Sequence, residues 1–326
     1  MLMSEPLAAT LLSAGVLAVL WAWDAQARPA DSASTAWWAR WLLPGALFGA
    51  LALVRPEYLA VACLVALVIF ARQAKTDWRQ SLLRAAVFLG ALVIVIAPWT
   101  IRNAVALDRF VPISTGGGQV LFAGTHLPSD GDPEKVGAEV VERNPQLFAP
   151  QDAQRLRLEQ ILARLAADRH PGTETDQALS KMGKKQLWDN LGDEPLEYAG
   201  FVATKVGRIW SHGPRDIMRD PVWEALHWAL VAFGLLGLAV LAWRRRWEAL
   251  LLGTIFLAIT AVSALLVASP RRVLVLIPLI AALAGVGATW LWSELRRRQP
   301  VATFGGYSAH NSPTAPPERP DSLSRP

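Results

Sequence analysis

Four short stretches place ionisable side chains at the ends of long apolar segments. An ionisable group beside lipid costs free energy unless a partner neutralises it, so these groups are candidates for binding or catalysis. Arginine presents a planar fork of N–H groups that fits the oxygens of a phosphate. The stretches are residues 4–6 (Ser-Glu-Pro), 55–57 (Arg-Pro-Glu), 98–103 (Pro-Trp-Thr-Ile-Arg-Asn) and 269–272 (Ser-Pro-Arg-Arg).

The first three stretches also have purely structural interpretations. Glu5 can favour the start of a helix that Ser4 caps, since a helix N-terminus attracts negative charge. Arg55 and Glu57 can form an ion pair that closes a turn. Arg102 can extend its charge to the membrane surface. The sequence leaves both interpretations open at these places.

A glycine run at residues 116–118 follows the third stretch. Gly117 and Gly118 can let the backbone approach a polar headgroup closely, or they can form a plain turn. The run lacks the Lys-Ser/Thr of a phosphate-binding P-loop, so nucleotide binding is not indicated. The sequence contains no HExxH motif, the five His are scattered and Cys63 is the single cysteine, so we expect no metal site and no disulfide.

The composition is that of a membrane protein. Hydrophobic residues make up 53% of the chain and charged residues 18%, against about 45–50% and about 25% in soluble proteins. Many of the 15 Trp lie near the ends of apolar runs, as expected for rings at a membrane interface. The net charge of +5 comes mostly from short basic loops, which favours membrane topology over nucleic-acid binding.

The apolar runs predict an all-α, polytopic bundle of about seven transmembrane helices, because only internally hydrogen-bonded backbone can cross lipid. The second and third are short and separated by Arg55, Pro56 and Glu57. One long kinked helix is the alternative, but these three residues at its centre would be costly. The predicted spans are residues 6–23, 41–53, 58–71, 81–99, 222–243, 249–269 and 273–292.

Short loops rich in Lys and Arg stay on the cytoplasmic side and so predict the orientation. The basic loops at residues 72–84, 244–246 and 296–298 can all lie inside without conflict among the last four helices. The predicted organisation is four helices in residues 1–99, a small helical extracytoplasmic segment in 100–221, three helices in 222–292 and a disordered cytoplasmic tail in 293–326.

This topology places Arg271 and Arg272 on the extracytoplasmic side, against the usual distribution of basic residues. Two adjacent arginines there predict an anionic partner, such as a lipid phosphate at the membrane surface. Ordinary contact with lipid headgroups is the alternative.

Helical periodicity is visible in the extracytoplasmic segment. One stripe comprises Leu158, Ile161, Leu162 and Leu165. A second helix, at about residues 194–210, has a face that is able to lie along a membrane surface. That face comprises Tyr198, Phe201, Val202, Lys205 and Ile209.

In their order along the chain, the stretches resemble the polytopic glycosyltransferases of GT-C type that take sugars from polyprenyl-phosphate donors, a group that includes protein O-mannosyltransferases and lipid A aminoarabinose transferases. The most specific match is the Pro-Trp-Thr-Ile-Arg-Asn stretch leading into residues 110–118. The others are Ser4-Glu5-Pro6, Gly45 and Gly49 before Arg55-Pro56, and Arg271-Arg272 with Pro278. The resemblance covers roughly residues 1–125 and 269–292.

The resemblance implies an inverting sugar transfer on the extracytoplasmic face of the plasma (inner) membrane. The partners would be a polyprenyl-phosphate sugar, membrane lipids and an acceptor glycan, lipid or protein, with no cofactor, metal or nucleic acid. Arg102, Arg271, Arg272 and Arg55 would contact the donor phosphate, where basic residues stabilise the departing charge. Residues that would shape the site are Glu5, Asn103, Gly117 and Gly118.

In that family the catalytic carboxylate lies in the first outer loop, ahead of anything that matches here. The resemblance therefore identifies no catalytic residue, and we expect further helices and that carboxylate to precede Met1 in the full protein. The aromatic residue that the family has between its two late arginines is also absent. A non-catalytic membrane protein or subunit of a lipid-linked glycan pathway and a transporter of lipid-linked intermediates remain as alternatives.

Overall fold

The computed structural model describes residues 4–26, 37–129, 132–211, 220–267 and 271–298. These residues form helices joined by turns, and no β-strand occurs among them. The predicted all-α class is confirmed. The predicted tail begins inside the last helix, which continues to Arg298, and its remainder lies outside the described residues.

Among the described residues, five helices are long and apolar enough to cross a membrane. They are α1 (Glu5–Gln26), α4 (Trp78–Leu107), α11 (Pro221–Trp243), α12 (Trp247–Leu265) and α14 (Ile277–Arg298). Two shorter apolar helices are α2 (Leu42–Val54), which follows a 3-10 turn at Trp37–Trp41, and α3 (Tyr58–Gln73). To that extent the structure supports the predicted multi-pass membrane protein.

The break between α2 and α3 has a local cause. Pro56 has no N–H and disfavours helical backbone at the residue before it. Arg55 accordingly adopts an extended conformation, with φ −144° and ψ 105°. The structure thus has two helices here and not one kinked helix.

The apolar helices share one core. Large fully buried side chains such as Phe48, Tyr58 and Phe88 lie in it with residues of α1, α12 and α14. Glycines allow the closest approaches: a Cβ on Gly45 would lie 2.2 Å from the carbonyl oxygen of Phe88. Helices α2 and α4 therefore pack backbone to backbone, as small residues permit inside membranes.

A second, smaller core lies among five further helices. These are α5 (Gly117–Thr125), α6 (Pro133–Arg143), α7 (Asp152–Arg155), α8 (Leu158–Arg169) and α9 (Thr175–Asp193). A sixth helix, α10 (Pro195–Ser211), packs against α9 and α12. Three of the four residues of the predicted stripe, Ile161, Leu162 and Leu165, are buried in α8, so that prediction is confirmed. Leu158 packs against this core at its edge.

Three of the predicted spans differ from the observed helices in ways that have a structural consequence. Helix α4 continues to Leu107 and contains Pro98, instead of ending at residue 99. Helix α12 ends at Leu265, where Leu266 turns to extended backbone. The last predicted span is divided into a single turn, α13 (Arg271–Leu274), and α14, because Pro278 lies in the first turn of α14, a position where proline is tolerated.

Candidate functional site

Four of the ionisable residues at the ends of apolar segments form a chain of ion pairs. Arg55 Nη2 donates a hydrogen bond to Glu5 Oε1 at 2.9 Å, and its Nη1 lies 3.5 Å from Glu57 Oε1. The same Glu57 oxygen lies 3.5 Å from Arg272 Nε. The four side chains are only 11–19% exposed, so each charge is largely removed from solvent and neutralised by its neighbour.

Three separate parts of the chain deliver these residues to one place. Glu5 lies in the first turn of α1, Arg55 and Glu57 form the turn between α2 and α3, and Arg272 lies in α13. We call this part of the bundle the Arg55 end. Because Glu5 and Arg272 are far apart in sequence, only the packing of α1, α3 and α13 brings them together.

A small cavity opens beside Glu57 and Arg272. Its volume of about 10 Å³ is room for about one water molecule. Tyr58 and Ser263 also line it, and neither hydroxyl has a hydrogen-bond partner within the described part of the chain. Arg55 Nε is likewise buried without a partner. Buried donors of this kind normally bind a water or a ligand, so these three groups have unused hydrogen-bonding capacity.

Lys205 adds a further positive charge near Arg272. It is fully buried, its Nζ donates to the carbonyl oxygen of Gly124 at 2.7 Å, and Nζ lies 4.9 Å from the centre of the Phe201 ring. Burial, and next the positive charge of Arg272, lower the pKa of Lys205 to about 7. Burial also lowers the pKa of Arg272, while Glu57 beside it acts in the opposite direction.

The α10 face, which by its sequence is able to lie along a membrane surface, is instead covered by other helices. Tyr198, Phe201, Lys205 and Ile209 are buried, and α10 packs against α9, α12 and α13. Helical periodicity correctly predicts which residues share the face. It cannot predict that other helices, and not lipid, cover it.

Gly124 is the glycine whose carbonyl oxygen accepts the hydrogen bond from Lys205. A Cβ there would lie 2.5 Å from the carbonyl carbon of Leu266, closer than real contacts allow. The close approach brings the end of α5 against the residues that follow α12. It also holds the carbonyl group to which Lys205 donates.

Replacing Gly124 by alanine is expected to lower the free energy of unfolding by about 1–3 kcal/mol, the usual cost of forcing an extra methyl group into a packed site. The control is Gly200→Ala in α10, where a Cβ would meet nothing within 4 Å and stability should be unchanged or slightly higher. Denaturation in mixed micelles measures both. Equal stabilities for the two variants would show that the Gly124 contact does not require glycine.

Arg102 and Asn103 are held by other contacts. Arg102 is exposed, donates to Asn103 Oδ1 at 3.1 Å and lies 5.2 Å from the centre of the Trp99 ring. Asn103 is buried, and its Nδ2 donates to the carbonyl oxygens of Val111 and Ile113. Asn103 thus fastens the loop after α4 to that helix, and none of these contacts joins Arg102 to the ion pairs of the Arg55 end.

Gly117 and Gly118 lie at the start of α5, at the opposite end of that helix from Gly124. A Cβ on Gly118 would lie 2.0 Å from the carbonyl oxygen of Asp176, and Gly118 N donates to Asp176 Oδ1 at 2.9 Å. Gly118 therefore serves the packing of α5 on α9. A Cβ on Gly117 would meet nothing within 4 Å.

Of the last predicted pair, Arg272 joins the ion pairs and Arg271 is exposed. Ser269 and Pro270 lie outside the described residues. Of the predicted site residues, the structure thus brings together Glu5, Arg55 and Arg272. Arg271 is adjacent to Arg272 in the sequence.

Sequence reasoning did not assign Lys205, Gly124, Tyr58 or Ser263 to the site. The sequence did contain an indication for Lys205, because a single lysine in an otherwise apolar helical face needs a hydrogen-bond partner or has a functional role. Tyr58 and Ser263 carried no comparable signal. Their hydroxyl groups become informative only when the packing shows that they have no partner.

The arrangement is suited to binding an anion by arginine N–H groups and hydroxyl groups. In the described parts of the chain, no three His, Cys, Asp or Glu side chains lie together as a metal site would need. Both carboxylates of the ion-pair chain are engaged with arginine, so neither is a free base.

Comparison with protein-family models, with curated protein sequences and with solved structures finds no match.

Proposed function

We propose that the protein is a membrane glycosyltransferase, or part of one, that takes a sugar from a polyprenyl-phosphate donor and binds the donor phosphate at the Arg55 end. The observation that carries the proposal is the convergence of Glu5, Arg55, Glu57 and Arg272. Three of these four belong to separate motifs of the family resemblance. Motifs of one binding site must meet in space, and these do.

Each residue has a role in the proposal. Arg272 and Arg55 bind the phosphate oxygens, and Arg271 contributes charge from the exposed side. Glu5 and Glu57 hold the two buried guanidinium groups in place while the site is empty. Tyr58 supplies a hydroxyl group beside them. As the sugar leaves, charge accumulates on the phosphate, and fixed positive groups stabilise it.

The proposal places the Arg55 end and helices α5–α10 on the extracytoplasmic side of the plasma (inner) membrane, with α2 and α3 included among seven membrane helices. Its support is the distribution of basic residues. Arg72, Arg245 and Arg246 line one cleft at the far end of the bundle, which would be the cytoplasmic end.

The test is binding of a polyprenyl phosphate to the full chain in nanodiscs. Arg272→Gln is expected to weaken binding about tenfold or more, since a charge-assisted hydrogen bond to phosphate is lost. Arg79→Gln is the control, because Arg79 is exposed and stacks on Trp78 at the other end of α4 from the proposed site. Equal affinities for wild type and Arg272→Gln would contradict the assignment.

A second candidate is a non-catalytic subunit that holds a lipid-linked sugar for a partner. It is favoured by the pairing of Glu5 and Glu57, which leaves neither carboxylate free to accept a proton from an acceptor hydroxyl. To distinguish the enzyme from the subunit, a polyprenyl-phosphate sugar is supplied together with the acceptor, and the release of free polyprenyl phosphate is measured. Tight binding without release would support the subunit, and release would support the enzyme.

A further inference from the structure

A basic cleft lies at the end of the bundle opposite the Arg55 end. Arg72 is near the C-terminus of α3, whose 16 residues extend for roughly 24 Å from the turn at Arg55. The cleft has a volume of about 500 Å³ and lies between the ends of α1 and α3 and the turn that joins α11 to α12. Three arginines line it: Arg72, Arg245 and Arg246.

The Arg72 guanidinium contacts a tryptophan ring and still has a hydrogen-bond donor that no described protein group accepts. Its guanidinium lies 4.5 Å from the centre of the Trp23 ring, a cation–π contact that fixes the group in the wall of the cleft. Its Nη1 is buried and has no hydrogen-bond partner within the described ranges. A buried guanidinium nitrogen without a partner is costly, and an anion in the cleft would supply one.

Arg245 occupies a position where helices usually have glycine. Arg245 N bonds to the carbonyl oxygen of Ala242 and Arg246 N to that of Leu241, the pattern that ends a helix with a left-handed residue. Arg245 is that residue, with φ 51°. A side chain at this position costs stability compared with glycine, so an arginine here indicates a use for its charge.

The carboxylates in the cleft do not cancel its basic character. Glu248 pairs with Arg246 at 3.3 Å and is also the opposing charge that acts on Arg72, and Asp24 is engaged as well. Arg84 adds positive charge close to Arg72. The lining thus has three arginines against two carboxylates, with Arg84 nearby.

A second, more apolar cleft adjoins the first. It has a volume of about 460 Å³ and shares Arg245, Arg246 and Trp247 with the basic cleft. The rest of its lining is aliphatic: Leu238, Ala242, Ala249 and Leu250. A molecule that fills both clefts has an anionic head and an apolar chain, and tryptophan beside them is typical of the depth at which lipid headgroups lie.

We propose that these adjoining clefts bind an anionic phospholipid, with its phosphate against Arg72 and Arg245 and an acyl chain along Leu238 and Leu250. The site is separate from the proposed donor site and does not depend on it. It would anchor the turn between α11 and α12 to the ends of α1 and α3 through the lipid.

The experiment is native mass spectrometry of the full chain in detergent, titrated with phosphatidylglycerol or with phosphatidylcholine. Wild type is expected to retain phosphatidylglycerol preferentially. Arg245→Gly is the decisive variant, because glycine suits the left-handed backbone and the protein should fold at least as well. Binding should weaken about fivefold, the loss expected for one basic residue at an anionic lipid surface.

Arg72→Gln should weaken binding similarly, and Arg296→Gln is the control, since Arg296 is an exposed residue at the end of α14 that stacks on Trp292. Equal retention of the two lipids, or unchanged retention in Arg245→Gly, would overturn the proposal. Displacement of the lipid by millimolar inorganic phosphate would also overturn it, because the site would then prefer a soluble anion.

Discussion

Replacing Arg55 by methionine is expected to lower the free energy of unfolding by about 3–5 kcal/mol, the usual cost of breaking a buried ion pair from one side. The substitution leaves Glu5, which is 11% exposed, without the guanidinium to which it is paired. It also removes one of the two arginines beside Glu57. The measurement is reversible unfolding in mixed micelles with increasing denaturing detergent.

A double variant separates charge from packing. Arg55→Met with Glu5→Gln removes both members of the Glu5 pair and leaves Glu57 paired with Arg272. We expect it to recover about half of the lost stability or more, since no carboxylate then stays buried alone. Arg109→Met is the control, because the partner of Arg109, Glu174, is 45% exposed and such pairs contribute at most about 1 kcal/mol. Equal losses for Arg55→Met and Arg109→Met would contradict the buried ion-pair chain.

The stability of the protein is expected to rise with pH between about 7 and 10 because of Lys205. The pKa of Lys205 is about 7 in the folded protein and about 10.4 when unfolded. Between these two pKa values Lys205 is protonated in the unfolded state and deprotonated in the folded state, so raising the pH favours the folded state. Well below pH 7 Lys205 is protonated in both states, and its contribution to stability no longer changes with pH. The gain from pH 6 to pH 10 is about 4 kcal/mol relative to a chain without this lysine.

The measurement compares pH profiles of the free energy of unfolding for wild type and Lys205→Met. The variant should be the more stable at pH 6, because no charge is then buried, and the difference should shrink or reverse by pH 10. Lys181→Met, which changes an exposed lysine of α9, should follow the wild-type profile. Parallel profiles for wild type and Lys205→Met would mean that Lys205 reaches water in the folded protein.

A lysine that lowers stability at neutral pH bears on the proposed function. Lys205 lies fully buried near Arg272, and the two positive charges repel one another. Proteins commonly accept such a cost where a site must attract an anion, since the ligand then relieves the repulsion. Bound polyprenyl phosphate should therefore raise the pKa of Lys205 and flatten the pH dependence described above.

Local features of the sequence were sufficient to predict the class of the fold. Long apolar runs predict membrane helices because lipid offers the backbone no hydrogen-bond partners. Pro56 between two apolar runs predicts the break between α2 and α3, since its effect on backbone geometry is local. The periodic stripe of α8 is buried as expected. Each of these predictions depends only on residues within a few turns of one another.

The candidate site depends on contacts that no local pattern encodes. Taken alone, Glu5 was better explained as a favourable first residue of a helix, and only the packing of α1 against the turn at Arg55 reveals their ion pair. Arg102, which the resemblance groups with Arg55, Arg271 and Arg272 as a phosphate contact, stacks instead on Trp99.

Residue types and their spacing are enough to predict which segments are helical, which faces are apolar and where charged residues interrupt them. What covers each face depends on how the helices pack. Lys205 shares an apolar face that suits lipid or protein equally well, and in the structure α9, α12 and α13 cover that face. Periodicity describes one helix alone, whereas burial and ion pairing depend on which other helices pack against it.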